Sequence, residues 1–245
     1  MKNNQTYHCF FEQSGTFKNE FKKLGYKAYD YDILNAFNET DYQIDLYEEI
    51  EKGYVNLSSV FDKFNKDNDT ILAFFPCIRF EDQAIMNLKA VNSGLKNYTL
   101  EQKLEFGLKH HRELSHNYEL INKLAIICIR KKIPLIIENP YSEQHYLVRY
   151  WHLKSKVIDK NRTENGDNFK KPTQYWFINC DPKNNFIFET ITLVERKIID
   201  KCNKVERSLI HPQYANRFIR EFIIDEQKRS EFNEHNKRSN ERNKR

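Results

Sequence analysis

Short apolar runs alternate with helical patterns along most of this chain, and that alternation constrains its fold more than any other feature. Strands separated by helices pair in parallel, because each helix carries the chain back across the sheet. "TYHCFF" (6–11) reads as a first strand, "KNEFKKLG" as a helix closed by Gly25, "YKAYDYD" as a second strand and "YQID" as a short third. "TILAFF" (70–75) and "IPLIIE" (133–138) are further strands. Between them, Thr99 and Gln102 in "TLEQ" make a capping box that opens a long helical region to about Arg130. Leu104, Leu108, Leu114, Tyr118, Ile121 and Ala125 fall near helical spacing there, and Gly107 is the residue expected to break it. "TQYWFINC" and "NFIFE" read as later strands in a hairpin around "DPKN", and "HPQYANRFIREFII" as a closing helix. The expected class is α/β with a parallel sheet.

A length of 245 residues suits one large domain, here placed at 1–225, with 18 Phe and 14 Tyr to fill its core. No apolar run approaches the roughly 20 residues of a membrane span. The start, "MKNNQTYHCFF", is too polar to read as a signal peptide. The five cysteines are odd in number and lack CxxC spacing, which argues for reduced thiols and against a disulfide framework or a zinc ribbon. The expectation is a cytoplasmic protein with no membrane and no metal. His110, His111 and His116 have no partners at metal spacing and read as helix-surface or core histidines. The last 20 residues, 226–245, hold seven Lys/Arg and four Glu, with Phe232 their one apolar side chain. They read as a basic, flexible tail, either a phosphate-binding arm or a solvated terminus.

In open parallel sheets, ligands bind beyond the carboxyl ends of the strands. Four strands here finish in polar or conformationally special residues: "FFEQSG", "YDYDI", "FFPC" and "IIENP". Gly15, between a strand and a helix, lets backbone N–H groups approach a ligand. Asp32 ends the second strand, where a ribose hydroxyl pair is gripped, or else it caps the next turn. Asp45 in "QIDL" is placed to accept from an adenine amino group. Cys77 follows Pro76 at a strand exit with Arg79 close by, where a thiolate is favoured. Cys9, Cys128 and Cys180 instead fit the ordinary role of small core residues. Glu138 ends a different apolar strand, and partial burial there would raise its pKa enough to carry a proton.

These residues resemble the motifs of the DNA cytosine-5 methyltransferases, particularly short, divergent phage-type members. The family's Phe-x-Gly-x-Gly-Gly turn is matched by "FFEQSGTF": Phe11 and Gly15 align and Phe17 follows, with Gln13 and Thr16 replacing two glycines. Asp32-Ile33 resembles the ribose-binding acid and its neighbour, and Asp45-Leu46 the adenine-binding acid. "FFPCIRF" stands for the Pro-Pro-Cys loop, with Phe75 in place of the first Pro, and "IIENP" for the Glu-Asn motif. "KKPTQYWFIN" and "RSLIHPQYANRF" resemble later segments, so the similarity runs from about Tyr7 to Ile224.

The resemblance implies a Rossmann-like methyltransferase sheet that binds S-adenosyl-L-methionine through Phe11, Gly15, Thr16, Phe17, Asp32, Ile33, Asp45, Leu46 and Pro76. It implies DNA as partner, with the target cytosine flipped out of the stack. Cys77 would be the nucleophile, Glu138 the acid at N3, and Arg79 and Asn139 substrate contacts. The family's arginine beyond the Glu-Asn motif is sought in "DKNRTENGD" at Arg162, which reads equally as a solvated loop residue. Only 26 residues lie between Cys180 and Arg207, too few for an independent recognition domain. "YSEQHYLVRYWHLK" interleaves aromatic and basic residues that can stack on bases, or it is an amphipathic helix burying Tyr146, Tyr150 and Trp151. The alternatives are a catalytically inactive relative that binds nucleic acid or a protein partner, and an enzyme acting on RNA or a free nucleotide.

Overall fold

The computed structural model describes residues 4–80, 95–192, 194–198 and 201–225; the expected tail, 226–245, lies outside them. Among the described residues seven strands form one sheet: β1 (Thr6–Phe10), β2 (Lys27–Asp32), β3 (Tyr42–Gln43), β4 (Asp69–Phe74), β5 (Leu135–Pro140), β6 (Val157–Asp159) and β7 (Thr173–Ile178), in the order β3-β2-β1-β4-β5-β7-β6. The first five strands are parallel, but β7 runs antiparallel to both β5 and β6. The sheet is therefore mixed rather than parallel. Residues 160–172 join β6 to β7 with a single 3₁₀ turn and no crossover helix, and neighbours joined that way return antiparallel. An α/β fold of this kind is compatible with a Rossmann-like architecture.

Among the described residues five helices flank the sheet: α1 (Thr16–Lys23), α2 (Leu46–Tyr54), α3 (Leu100–Lys131), α4 (Lys204–Ser208) and α5 (Pro212–Phe218), the last continued by a π-helical turn, Ile219–Ile223. Thr99 and Gln102 cap α3 reciprocally, and the helix then runs 32 residues without a break at Gly107. A helical glycine costs only about 1 kcal/mol, which is too little to interrupt a helix whose far half is packed on the sheet. Strand alternation separates two cores. Phe10, Ile71, Ala73, Leu135 and Ile137 face α2 and α3, while Tyr7, Cys9, Leu72, Ile136 and Tyr175 face α1 and α5.

Two expectations fail locally. "NFIFE" forms no strand: Asn185 N–H donates to Glu221 O at 2.8 Å, so the segment bonds to a helix end instead of a strand. "YSEQHYLVRYWHLK" supplies only a 3₁₀ turn at Tyr146–Arg149; Trp151 is buried, but Tyr150 is 66% exposed and outside the core.

Candidate active site

The strand order reverses between β1 and β4, since the chain builds outward to β3 before returning on the other side. Crevices form at such a switch point, beyond the carboxyl ends. Phe10 pairs with Ala73 and with Tyr31, and Phe74 pairs with Glu138, so the exits of β1, β2, β4 and β5 stand side by side. The structure thus brings together the Gly15 turn, Asp32, the Cys77 loop and the Glu138 corner.

The Cys77 loop is anchored at both ends. Phe75 is buried beneath Phe11, at 5.4 Å between ring centroids, and the amide nitrogen of Asn139 donates to its carbonyl oxygen at 3.0 Å. Phe80 is buried against Tyr118, at 4.8 Å, and its N–H donates to Cys77 O at 2.8 Å, closing a tight turn. Pro76 and Cys77 between these anchors are half-buried. The apolar Phe75 thus fixes the start of the loop from the core side. Arg79, in the same turn, pairs with Glu113 of α3 at 2.8 Å. Its charge also bears on His110, which burial and Arg79 together hold below the usual imidazole range.

Glu138 is half-buried on the α1–α5 face, opposite Tyr175 in register. Burial raises its pKa, opposed by the charges of Lys171 and Arg162. Arg162 is not a solvated loop residue. It is buried, with Nε donating to Asp167 Oδ2 at 2.6 Å, and its guanidinium lies 4.9 Å from the centre of the Tyr214 ring. Tyr214 in turn shares a hydrogen bond with Tyr175 at 3.1 Å. Arg162 thus acts on Glu138 from within the fold as a fixed cation.

At the turn after β1, Phe11 takes a left-handed backbone (φ 59°) and Gly15 does the same (φ 68°). A Cβ on Gly15 would lie 2.6 Å from Glu39 Oε2, so glycine is required there by contact as well as conformation. Glu12 turns inward: its Oε1 accepts the Phe17 N–H at 2.9 Å, inside the first turn of α1. The Phe17 ring packs in the core against Phe74, and Thr16 bonds Ser14 at 3.0 Å. Beneath the turn, polar atoms of Cys9, Glu12 and Asp30 lie within 4.8 Å of one another. The Lys18 ammonium, 3.6 Å from Asp30, already supplies a cation there.

Asp32 is half-buried and raised in pKa by that burial; its Oδ1 accepts the Leu34 N–H at 2.8 Å. Ile33 beside it is exposed. Asp45 caps α2, accepting the Tyr47 N–H at 2.9 Å, and Leu46 is buried in the core. Tyr47, Glu113, Glu12 and Tyr175 are not singled out by the sequence, although Tyr175 sits in the apolar strand "TQYWFI". A cavity of about 360 Å³ opens elsewhere, at the β6 edge beside α5, and no residue of the crevice lines it.

The chain matches no model of a known protein family and no curated protein.

Proposed function

We propose that the chain is an S-adenosyl-L-methionine-dependent methyltransferase acting on C5 of cytosine in DNA. The observation that carries this reading is the adjacent exit of β4 and β5, where Asn139 holds the backbone that delivers Cys77 while Glu138 stands one residue away. The adenosine half of the cofactor suits the crevice: Asp32 ends β2, and Phe11 offers a half-buried ring beside Tyr47. Asp45 is engaged as a helix cap through Oδ1, which leaves its second oxygen for a ligand. The methionine half has no seat at the first turn of α1, because Glu12 occupies the Phe17 N–H.

Cys77 as thiolate adds to C6 of a flipped-out cytosine, and the electron pair displaced from the C5–C6 bond makes C5 nucleophilic. Glu138, whose pKa burial raises, donates its proton to N3 and so stabilises the adduct. The bound cofactor supplies an electrophilic methyl group. Loss of the C5 proton to solvent then restores the C5–C6 double bond and expels the Cys77 thiolate, and the N3 proton returns to the Glu138 carboxylate. Arg79, half-exposed, is placed to exchange Glu113 for a DNA phosphate.

A second reading, a binding protein that keeps the fold without the reaction, is favoured by Glu12 and Glu39 crowding the Gly15 turn. Incubation with DNA containing 5-fluorocytosine and cofactor separates the two. A covalent adduct that Cys77→Ser abolishes supports the enzyme; binding of every DNA without an adduct establishes the second reading.

A further inference from the structure

The two most exposed large hydrophobic side chains among the described residues are neighbours: Phe186 at 87% and Phe188 at 95%. Single exposed apolar residues need no explanation, but two phenyl rings standing side by side in water are costly unless something covers them. Their backbone is held in place. Asn185 Nδ2 donates to Arg220 O at 2.6 Å and to Ile224 O at 2.8 Å, and Lys183 N–H donates to Phe222 O at 2.9 Å. On the far side, Glu189 pairs with Arg220. The last helix thus grips the segment on both flanks of the ring pair.

We propose that Phe186 and Phe188 form a stacking platform for single-stranded nucleic acid. Their centroids are 6.4 Å apart with planes inclined by 26°. That separation is close to two base-stacking steps, about 6.8 Å. A protein anchor site would need a pocket or a contiguous apolar patch, whereas these rings stand free, with only Ile187 between them. Charge selects the same partner. The chain passes Asp225, one residue beyond the Asn185 contact at Ile224, into 20 residues that carry seven Lys/Arg and four Glu. Aromatic faces in a chain whose sequence continues into a run rich in Lys and Arg suit a strand of bases and phosphates.

This surface does not rest on the crevice chemistry. Because β7 runs antiparallel to β5, the chain leaves Ile178 at the amino end of β5, opposite the Cys77 loop. The strand bound here is therefore not the base taken up by Cys77; it tethers nucleic acid and raises its local concentration at the crevice.

The test uses the full chain and a fluorescein-labelled oligothymidylate of about 12 nucleotides, read by anisotropy over a salt series. Phe186→Ala with Phe188→Ala should weaken binding by about tenfold per ring, whereas Phe→Trp at both positions restores it. The alanine variant should leave the thermal midpoint unchanged and still form the Cys77 adduct at saturating DNA. Unchanged affinity in the alanine variant overturns the proposal, as does wild-type protein that fails to bind the oligonucleotide. A change in oligomeric state without a change in oligonucleotide affinity overturns it too, and assigns the rings to a protein contact. Ring-dependent binding without any adduct would sink the crevice reading alone.

Discussion

The Asn139 amide nitrogen donates to the carbonyl oxygen of Phe75 at 3.0 Å, with Asn139 fully buried. A side chain, and not the strand ladder alone, thereby fixes how β4 leaves the sheet beside β5. Asn139→Leu removes the donor and leaves that carbonyl unpaired in a dry site, which should cost about 1–3 kcal/mol in urea unfolding. Adduct formation by Cys77 should fall further than stability predicts, with DNA affinity little changed. Equal losses in all three would reduce Asn139 to a packing residue.

Glu138 should give the reaction an alkaline limb. Burial raises its pKa above the ordinary carboxyl value, so the neutral, proton-donating form persists to higher pH than usual. As pH rises through that raised value the carboxylate forms, the N3 proton is no longer supplied, and the rate drops. Glu138→Gln should lose roughly 10²–10⁴-fold in methylation, with little effect on DNA binding. A fully active Gln variant would remove Glu138 from the mechanism.

What the sequence makes legible is where the strands end. Gly15, Asp32, Cys77 and Glu138 each follow an apolar run, and where such a run ends is a local property. Their convergence followed from parallel pairing, which β1 to β5 obey. Interactions across long sequence separations were hidden. Nothing near Arg162 announces that Tyr214 will lie beneath it, and the inward turn of Glu12 depends on where α1 begins. "NFIFE" misled because its alternation is that of a strand, while Asn185 finds its partners on a helix end. The same alternation places both phenyl rings on one side of the chain.

The pair Arg162–Asp167 is buried at about 1% exposure for both side chains. Asp167→Asn leaves a guanidinium without its counter-charge in the core, and should destabilise the fold by about 3–5 kcal/mol in urea titration. Replacing both together, Arg162→Met with Asp167→Leu, should recover part of that loss, because no buried charge is then uncompensated. If the double variant is as unstable as the single, the cost lies in packing against Tyr214 and not in charge.

Asp30 and Glu12 are buried side by side, one oxygen of each lying within 4.8 Å of the other and of the Cys9 thiol, and burial raises the pKa of both. Burial, and next the charge of Glu12, push the Asp30 pKa up to about 9, while Lys18 opposes the shift. Lys18 itself stays charged, since Asp30, Glu39 and Asp41 raise its pKa against burial. In the unfolded chain Asp30 titrates near its ordinary value of about 3.9. Between these limits the folded protein holds a proton that the unfolded chain has released, so raising the pH favours unfolding. Wild-type stability should therefore fall from about pH 4 towards pH 9, by up to about 1.4 kcal/mol per pH unit where the window is fully open. Asp30→Asn keeps the shape without titrating. It should flatten this slope and gain on the wild type as pH rises. Urea unfolding at a series of pH values decides it, and parallel profiles for the two proteins would mean that Asp30 is ionised in the fold and that Lys18 neutralises it.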